Sequence, residues 1–242
     1  ARVATEFAGI AWDPITAARA AQRAENHFVG MPCGIMDQLV VAAGSAGHAL
    51  LIDCRSLDTQ VVPIPAEAAL VVLDTGTRRR LVDSHYEDRR TACEHAAASL
   101  GVAALRDATI ALVDAAALDA ATRRRARHVV TENSRTRQAA LALATGDLEL
   151  TGELMNQSHA SLRDDFEVSS DALDTITDIA RRHPGCFGAR VTGAGFAGCA
   201  VALVSRAEVD GFTADVGSGY DSVAGHTSAL YVTSPAGGVA VT

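Results

Sequence analysis

The chain alternates between short apolar runs and longer segments in which apolar residues recur every three or four positions. The clearest run is Ala68 to Asp74, which predicts a buried strand because successive side chains, facing opposite sides, are almost all apolar. Shorter runs between turn residues predict further strands at His48 to Cys54, Thr59 to Ile64, Gly188 to Thr192, Cys199 to Val204, Ala229 to Thr233 and Gly238 to Thr242.

Helices are predicted where apolar residues follow the helical period and capping residues mark the ends. Asp13 can cap a first turn in which Pro14 fits the first position, and Ser84 with Glu87 has the spacing of a capping box. The predicted helices are Asp13 to Phe28, Met36 to Ala43, Ser84 to Leu100, a short one near 110–120, Thr122 to Ala144, Asp147 to His159 and Asp171 to Arg182. Because helices and strands mix without strict β-α-β alternation, the order predicts an α+β fold.

Composition narrows the function classes. The 242 residues carry a net charge of −8, which argues against a nucleic-acid partner that needs a basic face. The five cysteines are odd in number, widely spaced and without a C-x-x-C pair, so neither a disulfide framework nor a zinc site is predicted and a cytoplasmic location is expected. No apolar run approaches the roughly 18–20 residues of a membrane span.

Two segments could carry chemistry in the first half of the chain. Asp37 follows a glycine-containing loop at the start of a predicted helix, where a carboxylate could accept or orient a hydroxyl proton; from position alone, simple helix capping is the better interpretation. The stretch Thr75 to Arg78, with Tyr86 to Arg90 after it, could line a polar pocket or form a solvated loop beside a core tyrosine. The residues favour neither alternative.

Two further segments lie in the second half. Arg125 to Glu132 is interpreted as a charged helix face over an apolar one, without a chemical role. Val191 to Cys199 contains a glycine-rich turn whose backbone N–H groups could approach an anion, although a tight hairpin with bulges explains the same residues.

Taken together and in this order, these segments resemble the galactokinase family of GHMP kinases. The family's Gly-Ile-Met-Asp-Gln segment matches Gly34 to Gln38, and its glycine turn, usually Thr-Gly-Gly-Gly-Phe-Gly-Gly-Cys, matches Thr192 to Cys199. Further runs that resemble the family are Gly47 to Leu57, Arg125 to Val130 and Ser158 to Ser169. The resemblance covers essentially the whole chain.

The resemblance implies a set of site residues. Asp37 would be the catalytic carboxylate, Gly34 would contact the sugar through its backbone and Tyr86 through its side chain. The turn glycines near the transferred phosphate would be Gly193, Gly195 and Gly198. Galactose and ATP would be the substrates, with Mg²⁺ as cofactor.

The resemblance also implies a two-lobed GHMP-kinase fold. Residues 1–65 would be the remnant of the N-terminal lobe, and residues 66–242 a ferredoxin-like C-terminal lobe. Because the incomplete lobe lacks elements of the family fold, it is expected to expose apolar surface, and the chain alone is expected to be inactive and poorly soluble or partly unfolded.

The chain departs from the family in two respects. Ala194 and Ala197 stand where glycine is usual, so these positions should have negative φ. The family's first signature, which contacts the sugar, and its second, which cradles the ATP phosphates and helps to hold Mg²⁺, are missing from the sequence, and the Mg²⁺ ligands are therefore unknown. Two alternatives stay open: a kinase for another sugar such as N-acetylgalactosamine, and a non-catalytic galactose-binding regulator.

Overall fold

The structure, a computed structural model, describes residues 2–30, 33–78 and 83–240, with the backbone alone for 83–86. The chain divides into two compact units, one formed by residues 1–64 with 234–242 and the other by residues 65–233. Residues 234–242, which the resemblance includes in the C-terminal lobe, group with the first unit.

The first unit combines a helix pair with a hairpin. It contains α1 (Arg2–Phe7), α2 (Pro14–Arg23), α3 (Met36–Ala43), β1 (His48–Ile52) and β2 (Thr59–Pro63). Asp13 caps α2 as predicted, its carboxylate accepting from the backbone N of Ile15 at 3.1 Å. The strands pair antiparallel, and the core consists of Ala18, Ile35, Leu39 and Leu57.

The predicted strand at Gly238 to Thr242 is wrong for the described residues 238–240. The backbone of this segment bonds to the C-terminal end of α3 instead: Gly238 N donates to Gly44 O at 2.7 Å and Val239 N donates to Val41 O at 2.8 Å. These bonds satisfy carbonyls that the helix leaves free at its end. The local apolar pattern does not distinguish this capping role from a strand.

The first unit also exposes large apolar side chains, as the sequence leads us to expect. Phe7 and Phe28 are 91% and 93% exposed. Other large apolar residues of this unit with at least 40% exposure are Val3, Ile10, Val29, Met36, Val40, Val41, Val61 and Val239.

The second unit is built around an antiparallel sheet. Its strands are β3 (Ala68–Asp74), β4 (Cys186–Val191), β5 (Cys199–Ser205) and β6 (Ala229–Thr233), in the spatial order β4-β5-β3-β6. Its helices are α4 (Asp83–Ser99), α5 (Ile110–Ala115), α6 (Ala120–Ala144), α7 (Leu148–Asp164), α8 (Asp171–Arg182) and α9 (Val209–Ala224). The α+β class is therefore confirmed.

Helices α8 and α9 form the main core with the sheet. Leu173 and Ile176 of α8 and Phe212 of α9 are fully buried against Val71 and Leu73 of β3. A second core joins α4, α5 and α6 through Ala96, Val113 and Ala126. Helix α7 lies against β4 at a glycine pair.

The glycine pair explains how close α7 comes to the sheet. A Cβ on Gly152 would lie 2.1 Å from the carbonyl oxygen of Phe187, and one on Gly188 would lie 2.2 Å from that of Gly152. Only residues without a Cβ allow this approach.

Helices α1 and α9 were not predicted from the sequence. Within α9, Gly211, Gly217 and Gly219 lower the helix propensity, and they obscure the helical spacing of Val209, Phe212, Val216 and Tyr220. Along the described ranges, we find no helix whose length and apolar character would suit a membrane crossing.

Candidate functional site

Asp37 lies in the first turn of α3, and its side chain is exposed. The preceding loop, which contains Gly34, is fixed by Asn26: its Oδ1 accepts from the backbone N of Cys33 at 2.8 Å. Gln22 adds a bond from Nε2 to the carbonyl of Cys33 at 3.2 Å. The helix end and the tethered loop therefore hold Asp37 in a defined place.

A cleft of about 390 Å³ opens beside Asp37 within the first unit. Glu25 and Gln38 line it, and their side chains are hydrogen-bonded to each other. Trp12 supplies part of the wall, with the guanidinium of Arg2 5.2 Å from the ring centre. The rest of the lining is apolar, so Asp37, Glu25 and Gln38 are polar groups in a largely apolar cleft.

The glycine turn of the second unit connects β4 to β5. Gly193, Gly195 and Gly198 have φ values of 70°, 78° and 87°, which glycine adopts without a Cβ penalty. Neither Ala194 nor Ala197 has a positive φ, as expected from the sequence. The two alanines are therefore compatible with this turn.

The loop after β3 is bonded to this turn. The carbonyl oxygen of Gly198 accepts from both the backbone N and Oγ1 of Thr75, at 3.0 and 2.7 Å. The backbone carbonyl of Thr75 accepts in turn from Nε2 of His226 at 2.8 Å. Thr75 lies in a segment that the sequence singles out, but its pairing with Gly198 was not predicted.

Arg78, in the same loop after β3, is paired with Asp74. Its two terminal nitrogens donate to the two carboxylate oxygens of Asp74 at 2.8 and 2.9 Å. This hydrogen bonding lowers the pKa of Asp74 below its ordinary value. This ion pair joins the loop to Asp74, the last residue of β3.

The other side of the glycine turn contacts the loop between α7 and α8. Phe196 N donates to the carbonyl oxygen of Val168 at 2.6 Å. Arg89 of α4 donates to the carbonyl oxygens of Phe166 and Glu167 at 2.6 and 2.8 Å. The sequence places Arg89 in a stretch that could line a polar pocket, but it predicts neither these bonds nor a role for Glu167.

The environment of Glu132 shows that one interpretation of the sequence, a solvated charged face at Arg125 to Glu132, is wrong for this residue. It does not lie on a solvated charged face: its side chain is 19% exposed and accepts from Ser158, from Arg135 at 2.8 Å and from Arg190 at 3.4 Å. Burial raises the pKa of Glu132, but the Ser158 hydroxyl and the two arginines lower it by more. The group is an internal network between α6, α7 and β4.

The predicted site residues fall into both units. Gly34 and Asp37 lie together in the first, while Gly193, Gly195, Gly198 and the helix that carries Tyr86 lie in the second. The side chain of Tyr86 is outside the described residues, as is the cap predicted at Ser84. Among the residues that the structure describes, no group of three His, Cys, Asp or Glu side chains could hold a metal ion.

Comparison with known proteins gives consistent matches. Residues 139–221 match the family described as GHMP kinases C terminal. The chain is 47% identical over 226 residues to a galactokinase of Roseiflexus sp. (strain RS-1), covering 90% of this chain and 58% of that protein. It is 53% identical over 209 residues to a galactokinase of Chloroflexus aurantiacus, covering 83% and 53% respectively.

Solved structures include a similar protein. The crystal structure of Lactococcus lactis galactokinase complexed with galactose matches with a TM-score of 0.92 at 34% identity, covering 98% of this chain and 63% of that one. The chain thus spans somewhat more than half the length of these relatives.

Proposed function

Since this chain belongs to the galactokinase family of the GHMP kinases, we propose that it serves ATP-dependent phosphorylation of galactose at the anomeric hydroxyl. The observation that carries the proposal is Asp37, which lies in the first turn of α3 and lines a cleft of about 390 Å³. A relative with the same fold is known in complex with galactose.

Asp37 would accept the proton of the sugar 1-hydroxyl. The hydroxyl oxygen then forms a bond to the γ-phosphorus of ATP as the bond to the bridging oxygen breaks, and ADP leaves. Gly34, two residues before the helix, would contact the sugar through its backbone, and Tyr86 through its side chain.

The glycine turn would support the phosphate. Turns with glycines at positive φ can direct backbone N–H groups at an anion, and Gly193, Gly195 and Gly198 have such φ values. Mg²⁺ would neutralise charge on the phosphates. The described residues include no metal-binding group of three, so we assign no residue of this chain to that ion.

We also propose that the reaction takes place in the cytoplasm. All five cysteines are free thiols, which agrees with a reducing cytoplasm.

The test is a coupled assay of ADP release with galactose, on this chain and on the protein extended upstream to its first Met. Asp37→Asn should lower kcat by about 10²–10⁴-fold, because an amide cannot accept the proton of the sugar 1-hydroxyl. Asp171→Asn is the matched control, since Asp171 is also an acid in a first helical turn. Wild-type kcat in Asp37→Asn would contradict the role of Asp37.

The same assay separates the alternatives. Activity with N-acetylgalactosamine alone would identify another sugar kinase. Galactose binding without ADP release in the extended protein would identify a regulator.

A further inference from the structure

The glycine turn is locked to the loop between α7 and α8. A Cβ at Gly195 would lie 2.1 Å from the carbonyl oxygen of Val168, so only glycine fits there. The next residue, Phe196, donates its backbone N–H to the same oxygen at 2.6 Å. One carbonyl group thus fixes two consecutive residues of the turn.

The turn and the loop each contain a residue with a positive φ, which non-glycine residues rarely adopt. Phe196 has φ of 65°, and Glu167 has φ of 56°. A bulky residue in the left-handed region is strained, and such strain persists only where surrounding contacts hold it. The contacts around Phe196 and Glu167 must therefore supply that restraint.

Arg89 supplies contacts on both sides. Its Nε donates to the carbonyl of Phe166 at 2.6 Å and its Nη2 to that of Glu167 at 2.8 Å. Its guanidinium carbon also lies 5.8 Å from the centre of the Phe196 ring. The rigid fork of arginine can bond two carbonyls and lie against a ring at once, which an ammonium group cannot do.

The loop has a second anchor on α6. The carboxylate of Glu167 accepts from Arg124 at 2.8 Å and from Arg125 at 3.3 Å. These bonds fix the Glu167 side chain, which also pairs with Arg89 at 4.0 Å. Arg89 in addition fixes the backbone through the carbonyls of Phe166 and Glu167. The side chain of Arg89 is only 13% exposed, so water competes little for its bonds.

Arg89 lies three residues after Tyr86 on α4. We propose that Arg89 is a positioning residue that fixes the glycine turn relative to α4, and hence the transferred phosphate relative to the sugar. This inference rests on the proposed function for its catalytic consequence. The structural half, that Arg89 restrains the turn, can be tested without catalysis.

The first experiment measures amide hydrogen exchange at Phe196 in the protein extended upstream to its first Met. Arg89→Lys should speed exchange by about tenfold or more, because the turn loses part of its restraint. Arg90→Ala is the matched control: Arg90 is the next residue on the helix, is 63% exposed and pairs with Glu94 at the surface. Equal exchange in the two variants and the wild type would overturn the proposal.

The second experiment measures kinetics in the protein extended upstream to its first Met. Arg89→Lys should lower kcat by about 10–100-fold through misalignment, with KM for galactose changed less than about threefold. Arg90→Ala should change neither. Faster exchange with unchanged kcat would reduce Arg89 to a structural residue and overturn the positioning role.

The two experiments also separate this inference from the proposed function. If the wild-type extended protein released no ADP with galactose, the proposed function would fail. The exchange comparison would still decide whether Arg89 holds the turn.

Discussion

The hydroxyl and the backbone N–H of Thr75 both donate to the carbonyl oxygen of Gly198. These residues are 123 positions apart, and the bonds join the end of β3 to the end of the glycine turn. Thr75 is fully buried and also accepts from the hydroxyl of Thr77. On this side the turn is therefore held by both the backbone and the side chain of Thr75.

Thr75→Val keeps the shape of the side chain and removes its hydroxyl. We expect the free energy of unfolding to fall by about 1–2 kcal/mol, since the buried Thr75 hydroxyl loses its bonds to Gly198 and Thr77. Urea unfolding followed by circular dichroism measures this change. Thr213→Val, which removes a hydroxyl bonded to Asp210 at the surface of α9, should change stability by less than about 0.5 kcal/mol. Equal effects would show that the bond to Gly198 contributes little.

Gly195→Ala and Gly193→Ala test the turn itself. Both positions have positive φ, which costs alanine about 1–2 kcal/mol. At Gly195 the new Cβ would also meet Val168 O at 2.1 Å, whereas at Gly193 nothing lies within 4 Å. We therefore expect Gly195→Ala to cost about 3 kcal/mol or more, and Gly193→Ala only the backbone penalty. Similar losses in urea unfolding would contradict this packing.

The sequence was sufficient where local chemistry decides structure. The bounds of α3, β3, α8 and β6 were predicted to the residue, because caps, glycines and an unbroken period mark their ends. The first-turn position of Asp37 followed from the same signals.

Contacts distant in sequence were not predictable. Glu132 is hydrogen-bonded to Ser158 and Arg190, which lie 26 and 58 positions away in the sequence. From the helix sequence alone, Glu132 was therefore interpreted as part of a solvated face. Likewise, nothing in the glycine turn indicates that Val168 packs on it. Such pairings depend on how helices and strands assemble, which a local pattern does not record.

Exposed aromatic residues of the first unit offer a test of its surface. Phe28→Ser should leave the free energy of unfolding within about 0.5 kcal/mol of wild type and reduce self-association, because Phe28 is 93% exposed. Leu39→Ala is the contrasting change, expected to cost about 2–5 kcal/mol since Leu39 is fully buried. Sedimentation velocity and thermal unfolding measure the two effects. A wild-type chain that is a monodisperse, cooperatively unfolding monomer would contradict the expectation of poor solubility.

His128 joins α6 to α7 in the interior of the second unit. Ser161 Oγ donates to Asp165 Oδ2 at 2.7 Å, which leaves it to accept from Nδ1–H of His128 at 3.0 Å. The imidazole also stacks on Phe166, with 4.5 Å between ring centres. Burial lowers the pKa of His128 to about 4 from its usual 6.5, so the folded protein holds the neutral ring.

This lowered pKa predicts acid sensitivity. The unfolded chain binds a proton at His128 below about pH 6.5 and the folded chain only near pH 4, so the unfolding free energy falls across that window. Between about pH 7.5 and about pH 5 we expect His128 to account for a loss of about 1–2 kcal/mol. Urea unfolding of His128→Gln should show a correspondingly smaller loss over this range, while His27→Gln, which alters an exposed ring, should lose as much as wild type. An identical pH dependence in all three proteins would mean that His128 does not contribute to the proton uptake on unfolding.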